Sequence, residues 1–263
     1  MLEFNKVYLC DVMEGINKLD DNSIDLVVTS PPYNKKGFLG KKGKSKQKSE
    51  DSMWNQDIQY DNFNDDLNED VYRQQQIDLL NVLADKIKDN GSIFYNHKAR
   101  IKNNEISLPW TDWAKDSKLK LRQVIIWNRG GSVNVNESRF LPNTEIILWL
   151  TKSNKNVRFQ RQGAIGEVWN IAPDTSNSHP APYSEEMVTT IIKSVLGDTA
   201  MQRELGNLVV LDPYMGSGTT AVAAKKLGCD FIGFDMSPKY VTLASKRIAE
   251  VAAATNNSIW DNF

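Results

Sequence analysis

The chain has 263 residues, 40% of them hydrophobic and 25% charged, with a formal net charge of −1. That is the composition of a water-soluble globular protein, and no stretch approaches the ~20 consecutive apolar residues of a membrane-spanning helix. Two cysteines, Cys10 and Cys229, and two histidines, His97 and His179, exclude a disulfide scaffold and most zinc enzymes.

The opening MLEFNKVYLCDVMEG lacks the basic and apolar regions of a signal peptide, so a cytoplasmic, metal-independent protein is expected. Ile24 to Thr29 (IDLVVT) is an apolar, β-branched run stopped by Ser30-Pro31-Pro32, which reads as a buried strand. Next comes a basic segment with Lys35, Lys36, Lys41, Lys42, Lys44, Lys46 and Lys48 among glycines, which reads as a loop. An acidic run from Asp57 to Asp70 follows it. Helical spacing then predicts a helix over Val71 to Asp89, stopped by Asn90-Gly91, and a strand over Ser92 to Tyr95. Leu121 to Trp127 and Glu145 to Leu150 read as further strands. Thr151 to Pro182 is polar and without periodicity.

Ser184, with Glu185 and Glu186 behind it, caps a helix to Leu196, because acids in a first turn suit the helix dipole. Leu208 to Leu211 is a strand, Thr219 to Leu227 a helix and Phe231 to Phe234 a strand. Ser237-Pro238 opens a last helix through Val251. Alternating strands and helices predict an α/β fold with a mostly parallel sheet.

Two motifs carry chemistry. Leu208 to Ala221 (LVVLDPYMGSGTTA) is a strand, a glycine turn and a helix start, with Asp235 at the end of the next strand. Gly216-x-Gly218-x-x-Ala221 satisfies a dinucleotide fingerprint, and Asp235 stands where a ribose would be bound. A pyrophosphate, however, wants a helix N-terminus with no anion beside it, and Asp212 precedes this turn. A carboxylate there suits the ammonium and sulfonium of S-adenosylmethionine. A nicotinamide-dependent oxidoreductase stays as the alternative.

The second motif is Thr29-Ser30-Pro31-Pro32-Tyr33-Asn34. Its prolines fix φ and remove two donors, leaving carbonyls that only accept. At a strand's carboxyl end this makes a rigid acceptor cluster beside an aromatic ring, suited to a planar base with an exocyclic amino group. Ser30 and the Pro31 carbonyl take the amino hydrogens, and Tyr33 stacks on the ring.

TSPPYN resembles the catalytic motif of S-adenosylmethionine-dependent DNA amino-methyltransferases, and LDPYMGSGTT resembles their cofactor loop. With the catalytic motif first, the chain is similar to the circularly permuted β-class of that family. The resemblance implies a doubly wound, mostly parallel Rossmann-like methyltransferase sheet. It divides the chain into a catalytic part (1–150), a small target-recognition insertion (151–182) and a cofactor part (183–263). It places the target base at Ser30, Pro31, Pro32 and Tyr33. The cofactor falls to Asp212, Pro213, Gly216, Ser217 and Gly218, to Thr219 or Thr220 for its carboxylate, and to Asp235 for the ribose. Asp11 and the His179-Pro180-Ala-Pro-Tyr183 segment touch its adenine or methionine end. His97 receives no role.

Methylation at cytosine C5 needs a thiolate, and neither cysteine has a Pro-Cys setting, so direct transfer to an amino group of a flipped-out base is expected. The partner is double-stranded DNA, with Lys35, Lys36, Lys41 and Lys42 on its phosphates. Arg158 and Arg161 are candidates for reading bases in the major groove. Ser before Pro-Pro-Tyr is associated with N4 of cytosine, which is preferred; Asn34 is common among enzymes for N6 of adenine, the alternative. A homodimer and a cognate restriction endonuclease are the further partners that such a resemblance implies.

Overall fold

A computed structural model describes residues 2–34, 67–102, 105–131, 140–160, 165–174, 184–197 and 208–260. The basic segment from Lys35 to Lys48, Arg161 and the His179–Tyr183 segment lie outside the described residues.

In chain order the elements are β1 (Lys6–Leu9), α1 (Val12–Asn17), β2 (Ile24–Thr29), α2 (Glu69–Lys86) and β3 (Ile87–His97). Then come β4 (Arg100–Lys102), β5 (Glu105–Ser107), α3 (Trp110–Asp116), β6 (Lys120–Asn128), β7 (Thr144–Thr151) and β8 (Val168–Asn170). The chain closes with α4 (Glu185–Leu196), β9 (Val209–Asp212), α5 (Thr219–Lys226), β10 (Asp230–Asp235) and α6 (Pro238–Trp260).

An 8-stranded sheet runs in the order β1-β10-β9-β2-β3-β7-β6-β8. From β1 to β3 every pairing is parallel. β7 is antiparallel to both β3 and β6, so the mostly parallel sheet carries an antiparallel strand on one flank. No sequence pattern distinguished this strand, because β7 (TEIILWLT) is as apolar as a buried parallel strand.

Alternate residues of each strand face opposite sides. Leu26, Val28, Phe94, Ile147 and Val210 meet α4, α5 and α6 on one face, while Val27, Ile93, Tyr95, Leu148 and Leu211 meet α1, α2 and α3 on the other. Period-two alternation inside continuously apolar strands is what a sheet covered on both faces requires. Each fully buried large side chain, such as Trp113 or Phe231, contributes about 1.5–3 kcal/mol.

The helix predicted to Asp89 ends at Lys86, and Lys88 to Gly91 already belong to β3. Asn90-Gly91 is therefore not a helix stop. Ile87 pairs with Ile24, the register shifts before Ser92 meets Leu26, and a Cβ on Gly91 would lie 3.0 Å from the Asp25 and Lys88 carbonyl oxygens. The glycine admits a close backbone approach at a bulge. In the polar stretch from Thr151, Val168–Asn170 forms β8 on the outer edge beside β6.

Candidate active site

Connections from β9 and β10 run toward one edge of the sheet, while those from β2 and β3 run toward the other. The strand order therefore reverses between β9 and β2, where open α/β sheets bind ligands at the carboxyl ends of their strands. The glycine turn leaves β9 and the Ser-Pro-Pro-Tyr turn leaves β2 at this point. Thr29 donates to Asp212 across it (2.8 Å).

Asp212 is completely buried. It accepts from Thr29, from the Tyr214 amide (3.1 Å) and from the Thr220 hydroxyl (2.6 Å). The carboxylate expected to face a cation instead ties two strand ends and a helix start together, because those donors converge on it in the dry interior. The Thr219 and Thr220 hydroxyls, expected on a ligand carboxylate, are also turned inward. Thr220 serves Asp212, and Thr219 lies 3.3 Å from the Arg247 guanidinium. Arg247 also donates to the carbonyl (2.6 Å) and hydroxyl (3.1 Å) of Ser217, so α6 braces the turn from behind.

Gly216 (φ 53) and Gly218 (φ 85) take left-handed conformations. A Cβ on Gly218 would lie 2.8 Å from that of Ala244, so the turn closes only with glycine there. The first amides of α5 have no acceptor within the helix and suit an anion.

Asp235, at the end of β10, accepts from the Gly216 and Ser237 amides (both 2.8 Å). Burial pushes its carboxyl above the ordinary value, and the two amides oppose that shift. Asp11 caps α1 through the Met13 (2.8 Å) and Glu14 (3.2 Å) amides, and the adjacent Cys10 amide bonds the Asp235 carbonyl (3.1 Å). Glycine turn, helix start and strand-end carboxylate together supply donors for a carboxylate and acceptors for ribose hydroxyls. They fit S-adenosylmethionine.

On the β2 side, Pro31, Pro32 and Tyr33 are buried and Ser30 is half-buried. The Pro32 carbonyl accepts from the Tyr72 hydroxyl (2.7 Å). The Tyr33 ring lies tilted against His97, with centroids 4.5 Å apart, and His97 stands edge-on to Trp113. His97, given no role above, thus floors the turn with the Tyr72 hydroxyl 3.0 Å from its Nε2. Asn34 (φ 54) accepts from the Leu67 amide (2.7 Å) and donates to its carbonyl (3.0 Å), so the chain leaves and re-enters this site at one clasp.

Asn96 and Glu145, which the sequence did not single out, stand behind Ser30 and Tyr33 together with Arg129. Tyr33 donates to Glu145 (3.0 Å), Asn96 donates to both Tyr33 and Glu145 (2.8 Å each), and Arg129 donates to the other Glu145 oxygen (2.7 Å). Glu145 is buried at the start of β7, and the Asn96 side-chain oxygen Oδ1 is buried with no hydrogen-bond partner among the described residues. A charged residue opening an apolar run was the available signal.

Arg158 is not near this site. Its guanidinium donates to Asp25 at the amino end of β2 (3.1 Å), beside Lys88 on the same carboxylate (2.7 Å). Asp25 is 1% exposed and requires those partners, which explains why Arg158 points into the molecule rather than toward a groove. Both cysteines have raised thiol values from burial, Cys229 to about 12, so neither is a ready thiolate.

The model of the N6/N4 DNA methylase family matches residues 24–246. The chain belongs to the DNA methylase family. The family's methyl donor is S-adenosylmethionine, which sets the nicotinamide alternative aside. The chain is 26% identical to the type II methyltransferase M.BglII of Bacillus subtilis, over 96% of this chain and 71% of that protein. It is 26% identical to M2.LlaDCHI of Lactococcus lactis subsp. cremoris, over 90% of this chain and 87% of that one. Its fold is similar to that of PvuII DNA methyltransferase (cytosine-N4-specific), with a TM-score of 0.71, 17% identity, and coverage of 97% of this chain and 95% of that one. It is also similar to that of the M1.HpyAVI–SAM complex, with a TM-score of 0.60, 20% identity, and coverage of 92% and 98%.

Proposed function

We propose that the chain methylates the exocyclic amino group of a base flipped out of double-stranded DNA, N4 of cytosine in preference to N6 of adenine. The observation that carries this reading is the meeting of the two turns at the strand-order reversal, locked by the Thr29–Asp212 bond. When bound there, the cofactor supplies an electrophilic methyl group on a positively charged sulfur. The glycine turn, the α5 amides and Asp235 hold it. Ser30 and the Pro31 carbonyl accept from the target amino group and orient its lone pair, so the protein's work is positioning in a water-poor pocket. Buried Pro32 and Tyr33 keep that pocket rigid.

The order of the two turns supports a circularly permuted, doubly wound family member. The Asn34–Leu67 clasp opens beside Ser30, which supports Lys35, Lys36, Lys41 and Lys42 as phosphate contacts at the rim. Residues 151–182, and Arg161 with them, are assigned to target recognition, Arg158 excepted. His179 and Pro180, just before α4, are assigned to the cofactor. The type II names of the relatives support a cognate restriction endonuclease as functional partner; a homodimer and a cytoplasmic location complete the reading.

The test is nucleoside mass spectrometry after incubation with unmethylated mixed-sequence DNA and S-adenosylmethionine. N4-methylcytosine is expected. N6-methyladenine instead would transfer the assignment to adenine, and no methylated nucleoside would remove the DNA reading.

A further inference from the structure

We propose that Glu145 is the terminal acceptor of the proton released by methyl transfer, reached through a two-hydroxyl relay from Ser30 and Tyr33. The inference rests on the amino-methylation reading above. Tyr33 has one hydroxyl hydrogen, and it is donated to the Glu145 carboxylate (3.0 Å). The Tyr33 oxygen can then only accept from Ser30, whose hydroxyl lies 2.8 Å away. It accepts from Asn96 as well (2.8 Å). The hydrogen of Ser30 is thereby turned inward, and its outward lone pair is presented as an acceptor to the target N–H. The carboxylate sets this direction; a neutral hydrogen-bonding group in its place leaves the two hydroxyls free to reverse.

The stoichiometry requires an outlet. As the amino nitrogen bonds the methyl carbon, the carbon–sulfur bond breaks with its electron pair passing to sulfur, and the nitrogen must shed one proton. That proton passes to Ser30 Oγ, the Ser30 proton to Tyr33 Oη, and the Tyr33 proton to Glu145 Oε2. When the methylated base leaves, the same path returns the proton to water at Ser30.

Among the described residues, two charged groups face Glu145, one from the end of each strand flanking β7. Arg129, at the end of β6, pairs with its other oxygen (2.7 Å), and Lys98, just after β3, feels its charge. Burial pushes the Lys98 ammonium below its ordinary value, and Glu145 opposes that shift. With Arg129 held on Oε1, Oε2 is the oxygen left for the relay. Glu145 touches neither base nor cofactor in this scheme, so it is a positioning and proton-accepting residue acting through Tyr33.

Glu145→Gln keeps the shape and an acceptor but removes the basicity. The full-length protein is mixed in excess with mixed-sequence DNA and radiolabelled S-adenosylmethionine, and single-turnover rates are followed against pH. Wild type is expected to lose rate as pH falls through a carboxylate inflection. Glu145→Gln is expected to be about 100-fold or more slower, the usual scale of general-base loss, with no such inflection. Tyr33→Phe leaves the Glu145–Arg129 pair intact and is expected to match it, which covers the case in which Glu145→Gln misfolds. Binding of S-adenosylhomocysteine by calorimetry is expected to be unchanged in both variants. Infrared difference spectra of the ligand-free protein, wild type minus Glu145→Gln, are expected to carry the bands of an ionised carboxylate at neutral pH.

A protonated-acid band, or a Tyr33→Phe rate and pH profile equal to wild type, overturns the relay. An inactive wild type overturns the amino-methylation reading itself.

Discussion

A single guanidinium separates folding from recognition in this chain. Arg158 and Lys88 share the buried Asp25 carboxylate, which also accepts from the Val209 amide (3.0 Å). Arg158→Ala is expected to cost about 1–3 kcal/mol, the penalty for leaving a buried group short of a charged partner. A urea midpoint measures this, and a mobility-shift titration with duplex DNA is expected to show no change. A loss of DNA affinity at unchanged stability would return Arg158 to the interface. Ser30 and Tyr33 were legible in the sequence because their geometry is local: two prolines at the end of an apolar run dictate a rigid turn. Glu145 was not, because its partner Tyr33 lies 112 positions away and only the sheet brings them together. Asp212 was legible as a site residue but not in its role. Its partners Thr29 and Thr220 lie on two different elements, and only the fold brings their hydroxyls onto its carboxylate.

At the scale of an element, the β9–α5 turn depends on its glycines and on what α6 sets behind them. Gly218→Ala adds a left-handed strain of about 1–2 kcal/mol and a methyl group 2.8 Å from the Ala244 Cβ. The expected result is a lower melting temperature and a smaller stabilisation by S-adenosylhomocysteine in a thermal-shift series. Adding Ala244→Gly is expected to restore part of the loss, the part due to contact, since it opens space without relieving φ. Equal losses in the single and double variants would mean that strain alone governs the turn. Helix ends were read well where a cap marks them, as at Ser184, whose hydroxyl accepts from the Glu186 amide (3.2 Å). The end of α2 was misread because Asn90-Gly91 serves a strand bulge, and a sequence shows the glycine without the carbonyls that crowd it.

Over the whole molecule, the two ends of the chain share one sheet. β1 pairs with β10, and β2 pairs with β9, so strands from opposite halves of the chain lie side by side. Such non-local pairing makes folding slow. In refolding from urea, tryptophan fluorescence and S-adenosylhomocysteine binding are expected to recover together. Early fluorescence with late binding would show that the β3–β7–β6 side forms on its own. The Thr29–Asp212 bond has a further consequence for biosynthesis, since its two residues are 183 positions apart. At ~5–20 residues per second, a ribosome that has made the first of them needs on the order of ten to forty seconds to deliver the second. Throughout that interval the flank of β2 that β9 will cover has no strand to pair with, and a nascent chain must keep it from other nascent chains. The site is therefore completed only after Asp212 has followed Thr29 out of the ribosome, which builds a delay into every newly synthesised copy.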